Sequence, residues 1–135
     1  MIHRLVPLIA LGVGLAATSP IASAQTPSIF KATLAESDAK TAEVSTEQMR
    51  AIMLDASAII LDTRSRAEFD AGHLPTARSL DAPASAQVSA VESLVKGDRS
   101  KALVLYCNGP YCQASRRLAE NLVAAGFSDV KRYQL

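Results

Sequence analysis

"KALVLYCNGPYCQASRRLAENLVAAG", residues 101–126, carries three signals in one run. Its opening, Lys101 to Cys107, holds a short unbroken apolar stretch, the pattern of a strand buried on both faces. Gly109 and Pro110 then mark a loop. Beyond them Leu118, Leu122 and Ala125 fall on one helical face, and Gly126 stands where the helix should stop. A strand that passes through a loop into an amphipathic helix is the repeating unit of a parallel α/β sheet.

The same alternation extends outward. "STEQ", Ser45 to Gln48, has the spacing of a capping box, with a hydroxyl at the cap and an amide three residues later. Met49, Ile52 and Met53 follow on one face of a helix that should end near Asp55. "AIILD", residues 58–62, reads as a second buried strand. "TRSRAEFDAGHLP" reads as a loop, a helical turn around Ala67 to Asp70 and a break at Gly72. A short strand is expected over Ala77 to Leu80. A helix bearing Val88, Val91, Leu94 and Val95 follows, with Gly97 as its stop, and "DVKRY", residues 129–133, closes as a last strand. The expectation is an α/β fold: a parallel sheet of about five short strands with helices on both faces. The chain contains neither repeats nor a low-complexity tract.

A length of 135 residues fits one domain. The first 24 residues read as a secretory signal peptide: Arg4 in the n-region, the apolar run Leu5 to Ala17, and "ASA" at 22–24 for cleavage before Gln25. A retained membrane anchor is the alternative, against which stand the shortness of the run and its Pro7 and glycines. Residues 25–40 are expected to form a flexible leader in which Ile29 and Phe30 dock on the surface, and 41–135 the folded domain. Without Arg4, the 14 Lys and Arg fall to equality with the 13 Asp and Glu. That balance offers no basic field for nucleic acid and no polybasic patch for stable membrane association. Trp is absent and aromatic residues make up 4%, so Leu, Ile, Val and Ala must build the core. The expected location is periplasmic or secreted, where a disulfide is the default for a cysteine pair.

Cys107 and Cys112 are that pair. In an open parallel sheet, ligands gather beyond the carboxyl ends of the strands, and Cys107 stands at such an end. The N–H groups of Asn108, Gly109, Tyr111, Cys112 and Gln113, continued by Ala114 and Ser115 at the helix start, can line an anion-binding cradle. A thiolate is such an anion, so Cys107 is expected to have a lowered pKa. Arg116 and Arg117 can reinforce the field or face water. Three roles stay open for Cys112: a rival nucleophile, a resolving thiol, or one half of a permanent staple. Bonding to Cys107 requires Cα atoms within about 7 Å. Because the apolar strand ends at Tyr106, Cys107 is the preferred nucleophile. The two His and two Cys do not have a zinc spacing, so no metal is expected.

These segments resemble the rhodanese-like domains. "LDTRSRAEFDAGHLPTARSL", residues 61–80, is similar to their first signature, an Asp-x-Arg strand end and a Gly-His-Leu-Pro turn. "VLYCNGPYCQASRRLAENLVAAGF", residues 104–127, is similar to the second, in which a strand delivers the active cysteine. The resemblance implies a sulfurtransferase in which Cys107 takes sulfane sulfur as a persulfide. The donor would be a small molecule such as thiosulfate and the acceptor a thiol or cyanide, with no organic cofactor. It implies supporting roles for Asp62 and Arg64, the latter bonding loop carbonyls; a surface ion pair of Arg64 with Glu68 or Asp70 is the alternative. His73 is expected to be structural, its ring tied to backbone. The common rhodanese loop is shorter than Asn108–Ala114 and places Arg before the serine, whereas this loop resembles the C-x-G-P-Y-C variant. The resemblance further implies a helix after the last strand, and the sequence stops at "KRYQL". A Cys-loop phosphatase or arsenate reductase would place Arg sixth after the cysteine, where Gln113 and then Ala114 stand instead. A non-catalytic redox or structural module built on the pair is the rival from another class.

Overall fold

The computed structural model describes residues 28–34 and 36–134; the expected signal segment lies outside them. Within this range five parallel strands form one sheet. They are β1 (Ala42–Glu43), β2 (Ile59–Asp62), β3 (Arg78–Ser79), β4 (Leu103–Tyr106) and β5 (Val130–Tyr133), in the order β1-β5-β4-β2-β3. Helices α1 (Thr46–Asp55), α2 (Arg66–Ala71), α3 (Gln87–Leu94) and α4 (Gln113–Ala124) form the connections.

Each boundary has a local cause. Both halves of the capping box at Ser45 are made: Ser45 Oγ accepts from Gln48 N–H at 3.2 Å, and Gln48 Oε1 accepts from Ser45 N–H at 2.7 Å. A second box, Ser65 with Glu68, starts α2 and turns the expected helical turn into a full short helix. α4 ends at Ala124, and Gly126 adopts φ +90° just past it, a left-handed turn that glycine enters without steric cost.

The central strands alternate sides with period two. Ile60, Val104 and Tyr106 pack with Met49, Ile52 and Met53 of α1. Leu61, Leu103 and Leu105 pack with Val91 of α3 and Leu118 and Leu122 of α4. Burying each such Leu contributes roughly 2 kcal/mol, so the sheet is held from both faces. β1 has no sequence signal: Ala42 and Glu43 are a strand only because they pair with Lys131 and Arg132 of β5.

Of the two leader residues expected to dock, Phe30 holds to the domain and Ile29 faces solvent. Ile29 is 72% exposed and Phe30 57% exposed; Phe30 offers its carbonyl to Glu47 N–H and its ring to Arg50 at 5.9 Å. Further along, Glu36 is buried against Arg132 of β5, Oε2 to Nη1 2.5 Å, with side chains 3% and 1% exposed. The described part of this segment is therefore fastened to the domain, because a buried guanidinium needs a counter-charge.

The chain leaves β2 for β3 on one side and returns through β4 to β5 on the other. β2 and β4 are thus neighbours whose outgoing connections diverge, with Asp62 opposite Tyr106 in register. Their carboxyl ends open the crevice where such sheets hold ligands, and Cys107 is the next residue.

Candidate active site

The strand ends are braced first. The Asp62 carboxylate, with no exposed surface, accepts from the Arg64 backbone N–H at 2.9 Å, from Arg64 Nη2 at 2.6 Å and from the Tyr106 hydroxyl at 2.5 Å. The Tyr106 hydroxyl in turn accepts from Leu74 N–H at 3.2 Å. Burial opposes the charge on Asp62, but hydrogen bonds from Arg64 and Tyr106 outweigh it and hold the carboxyl below its ordinary 3.8. The hydrogen bond to Asp62 likewise holds the Arg64 guanidinium more firmly protonated than usual.

Arg64 does bond a loop carbonyl, that of Gly72 at 2.7 Å, but it belongs to the turn after α2 and not to the cysteine loop. Neither Glu68 nor Asp70 pairs with it. Asp70 takes Arg66, and Glu68 serves two other groups: Oε2 caps α2 through Ser65, and Oε1 accepts from Asn108 Nδ2 at 2.8 Å. Glu68 is thus a loop anchor, where the sequence suggested only a surface partner for Arg64. Its position at N3 of a capping box was the available signal. His73 holds to its expected structural role, Nδ1 lying 2.9 Å from the Phe69 carbonyl and the ring stacked on Phe69.

The loop itself curls at Gly109, φ +122°, and again at Tyr111, φ +60°. Cys107 and Cys112 are joined in a disulfide with Cα atoms 6.2 Å apart. Cys112 is the N-cap of α4 and no side chain caps that helix. The cradle is smaller than expected. The Tyr111 N–H is taken by Gln134 Oε1 at 2.9 Å, because the left-handed turn at Tyr111 aims it at β5. The N–H groups of Asn108, Gly109, Cys112, Gln113, Ala114 and Ser115 have no acceptor among the described residues. The Ser115 hydroxyl is buried beneath the loop, donating to the Cys112 carbonyl at 3.3 Å.

Beneath the loop lies Arg132, which sequence reading missed. Its Nη2 donates to the Cys112 carbonyl at 3.2 Å and to Gln134 Oε1 at 3.0 Å, while Gln134 Nε2 donates to Glu43. Nothing in the sequence of a closing strand marks one charged residue as buried, and the pairing of β5 with β4 sets Arg132 inward. Arg116 lies beside Glu120 at 3.1 Å and Glu36 at 3.9 Å, and Arg117 is exposed. Glu36, Ser37, Tyr111, Gln113 and Arg116 line a recess of about 330 Å³ on the flank of the loop. A larger recess, about 380 Å³ and mostly apolar, opens between α1 and the sheet near Ala58, Ala102 and Asp129, at the amino ends of the strands. Ligand chemistry in this fold class belongs at the other end.

A cysteine carried on the central strand of a parallel sheet into an amide-rich loop defines a class of Cys-loop α/β domains. Within that class, the rhodanese-like domain model matches residues 45–134, and the chain belongs to that family. Membership places it among sulfur-transfer domains. No curated protein matches the sequence. Among solved structures, a variant of EanB in complex with hercynine superposes with TM-score 0.57 at 20% identity, over 71% of this chain and 24% of that one. An EanB variant with ergothioneine covalently linked to a persulfide cysteine gives 0.56 at 20% identity, over 70% and 24%. The solution structure of the rhodanese-like domain from an Anabaena protein gives 0.51 at 22% identity, over 64% of each chain. These likenesses establish the shared fold, and the chain spans about a quarter of EanB.

Proposed function

We propose that the protein is an exported sulfurtransferase in which Cys107, once freed from its disulfide, carries sulfane sulfur as a persulfide. One observation carries the reading: Cys107 leaves β4 at the crevice of the sheet and enters a loop with N–H groups that have no acceptor among the described residues. Those donors and the start of α4 favour a thiolate over a thiol. The thiolate attacks the outer sulfur of a donor such as thiosulfate. A bond forms from Cys107 Sγ to that sulfur, the donor S–S bond breaks, and its electron pair leaves with sulfite. The same donors then bear the charge on the terminal persulfide sulfur. Cyanide or a thiolate attacks that sulfur and takes it away, and Cys107 returns as thiolate. Asp62 and Arg64 act from behind, bracing the strand ends, and no metal or organic cofactor takes part. The persulfide in the EanB complex is a precedent for this intermediate on the same fold.

The test is thiocyanate formation by reduced protein given thiosulfate and cyanide. Activity should vanish in Cys107→Ser and persist in Cys112→Ser. Equal activity in wild type and Cys107→Ser refutes the assignment. A second reading, a redox module without transferase activity, is favoured by the disulfide itself; failure of the reduced wild type to turn over would select it. Export is tested separately: protein secreted with its own leader should begin at Gln25.

A further inference from the structure

We infer that Cys112 resolves the Cys107 persulfide, so that the protein releases hydrosulfide and consumes a dithiol. This rests on the sulfurtransferase reading and assigns its acceptor. The two Cα atoms are 6.2 Å apart with the sulfurs bonded, so Cys112 reaches Cys107 Sγ with the backbone as it stands. After reduction, Cys112 is held in place from three sides. Its carbonyl accepts from Arg132 Nη2 at 3.2 Å and from Ser115 Oγ at 3.3 Å, and the preceding Tyr111 N–H is bound to Gln134. Arg132 is itself fixed by Glu36. The Cys107 end is tethered independently through Asn108 and Glu68. A nucleophile fixed this way attacks as an intramolecular neighbour with high effective concentration.

Cys112 is also the residue at the uncapped start of a 12-residue helix. The first-turn N–H groups there would stabilise its thiolate, the form that attacks sulfur. The step balances as follows. Cys112 thiolate attacks Cys107 Sγ, a Sγ–Sγ bond forms, and the bond from Cys107 Sγ to the outer sulfur breaks with its electron pair. The outer sulfur takes up the proton that the Cys112 thiol gave up on ionising and departs as hydrosulfide, reduced by two electrons, while the two cysteines are oxidised to the disulfide. A dithiol then reduces that disulfide by exchange and becomes a disulfide itself. With thiosulfate as donor, the net reaction converts thiosulfate and a dithiol into sulfite, hydrosulfide and a disulfide.

A single turnover without acceptor tests this. The full chain is reduced, freed of reductant without air, and given thiosulfate; sulfite, hydrosulfide, free thiols and protein mass are then followed. Wild type is expected to release sulfite and hydrosulfide in equal amounts and to lose both thiols. Cys112→Ser is expected to release sulfite alone and to retain a sulfur adduct on Cys107. A pulse of dithiothreitol should restore both wild-type thiols for a second round. Sulfite without hydrosulfide from wild type, with a lasting adduct, overturns the resolving role and leaves the sulfurtransferase standing. Hydrosulfide from Cys112→Ser at the wild-type rate overturns it equally. If neither protein releases sulfite, no persulfide forms and the underlying reading fails as well.

Discussion

Asp62 concentrates the residue-scale physics of the site: a buried carboxylate whose charge is worth keeping only while Arg64 and Tyr106 donate to it. Asp62→Asn keeps the shape and removes the charge, leaving the guanidinium without its partner. We expect a loss of about 3 kcal/mol in urea unfolding near neutral pH. The folded carboxyl sits below its ordinary 3.8. Its contribution is therefore present above that value and is lost as pH falls through the lower folded value. The gap between wild type and Asp62→Asn should close on acidification, and a gap unchanged in acid would contradict the arrangement. Tyr106 behaves in the opposite sense. Burial and the bond to Asp62 push its hydroxyl above 10.0, so its contribution is complete below 10.0 and fades as pH rises through the raised value. The sequence placed Asp62 and Arg64 beside the site because both stand at the carboxyl end of a strand. It did not reveal their mutual bond or the link from Glu68 to Asn108, since chain spacing does not say which of several acidic partners a loop will meet.

At the scale of elements, β5 and the segment before β1 clamp the far half of the cysteine loop. Glu36→Ala leaves Arg132 buried without a counter-charge and should cost about 3 kcal/mol. Arg132→Met alone should cost a similar amount. The double variant should cost less than the sum, since each single change strands the other's charge. Additive losses in equilibrium unfolding would show that the pair is not coupled. Leu122→Ala, in the core beneath α4, should cost 2–5 kcal/mol, roughly the range for a buried Leu, by the same measurement. The contrast shows what was legible. Leu118 and Leu122 announce their face through helical period, and α1 announces its start through "STEQ". Glu36 and Arg132 follow no period, because a single long-range ion pair leaves no repeat in the sequence.

For the whole molecule, the disulfide closes a short loop beyond the carboxyl end of the central strand. Constraining so few residues should stabilise the fold by about 2 kcal/mol at most. Urea unfolding with and without a phosphine reductant should therefore differ by no more than that, and near-ultraviolet circular dichroism should keep its native form. A collapse of structure on reduction would make the pair a staple and remove the redox cycle. The alternation of strand and helix, the apolar cores of β2 and β4, and the lead of Cys107 into an amide-rich loop were all determined by the sequence itself. Period, propensity and cap chemistry act over a few neighbouring residues, so they are written locally. Tertiary structure alone decided that Ala42–Glu43 is a strand, that Tyr111 gives its N–H to Gln134, and that Arg132 supports Cys112. Each of these needs a partner distant in the chain, and only the folded packing of β1 on β5 and β5 on β4 brings that partner within a hydrogen bond's reach.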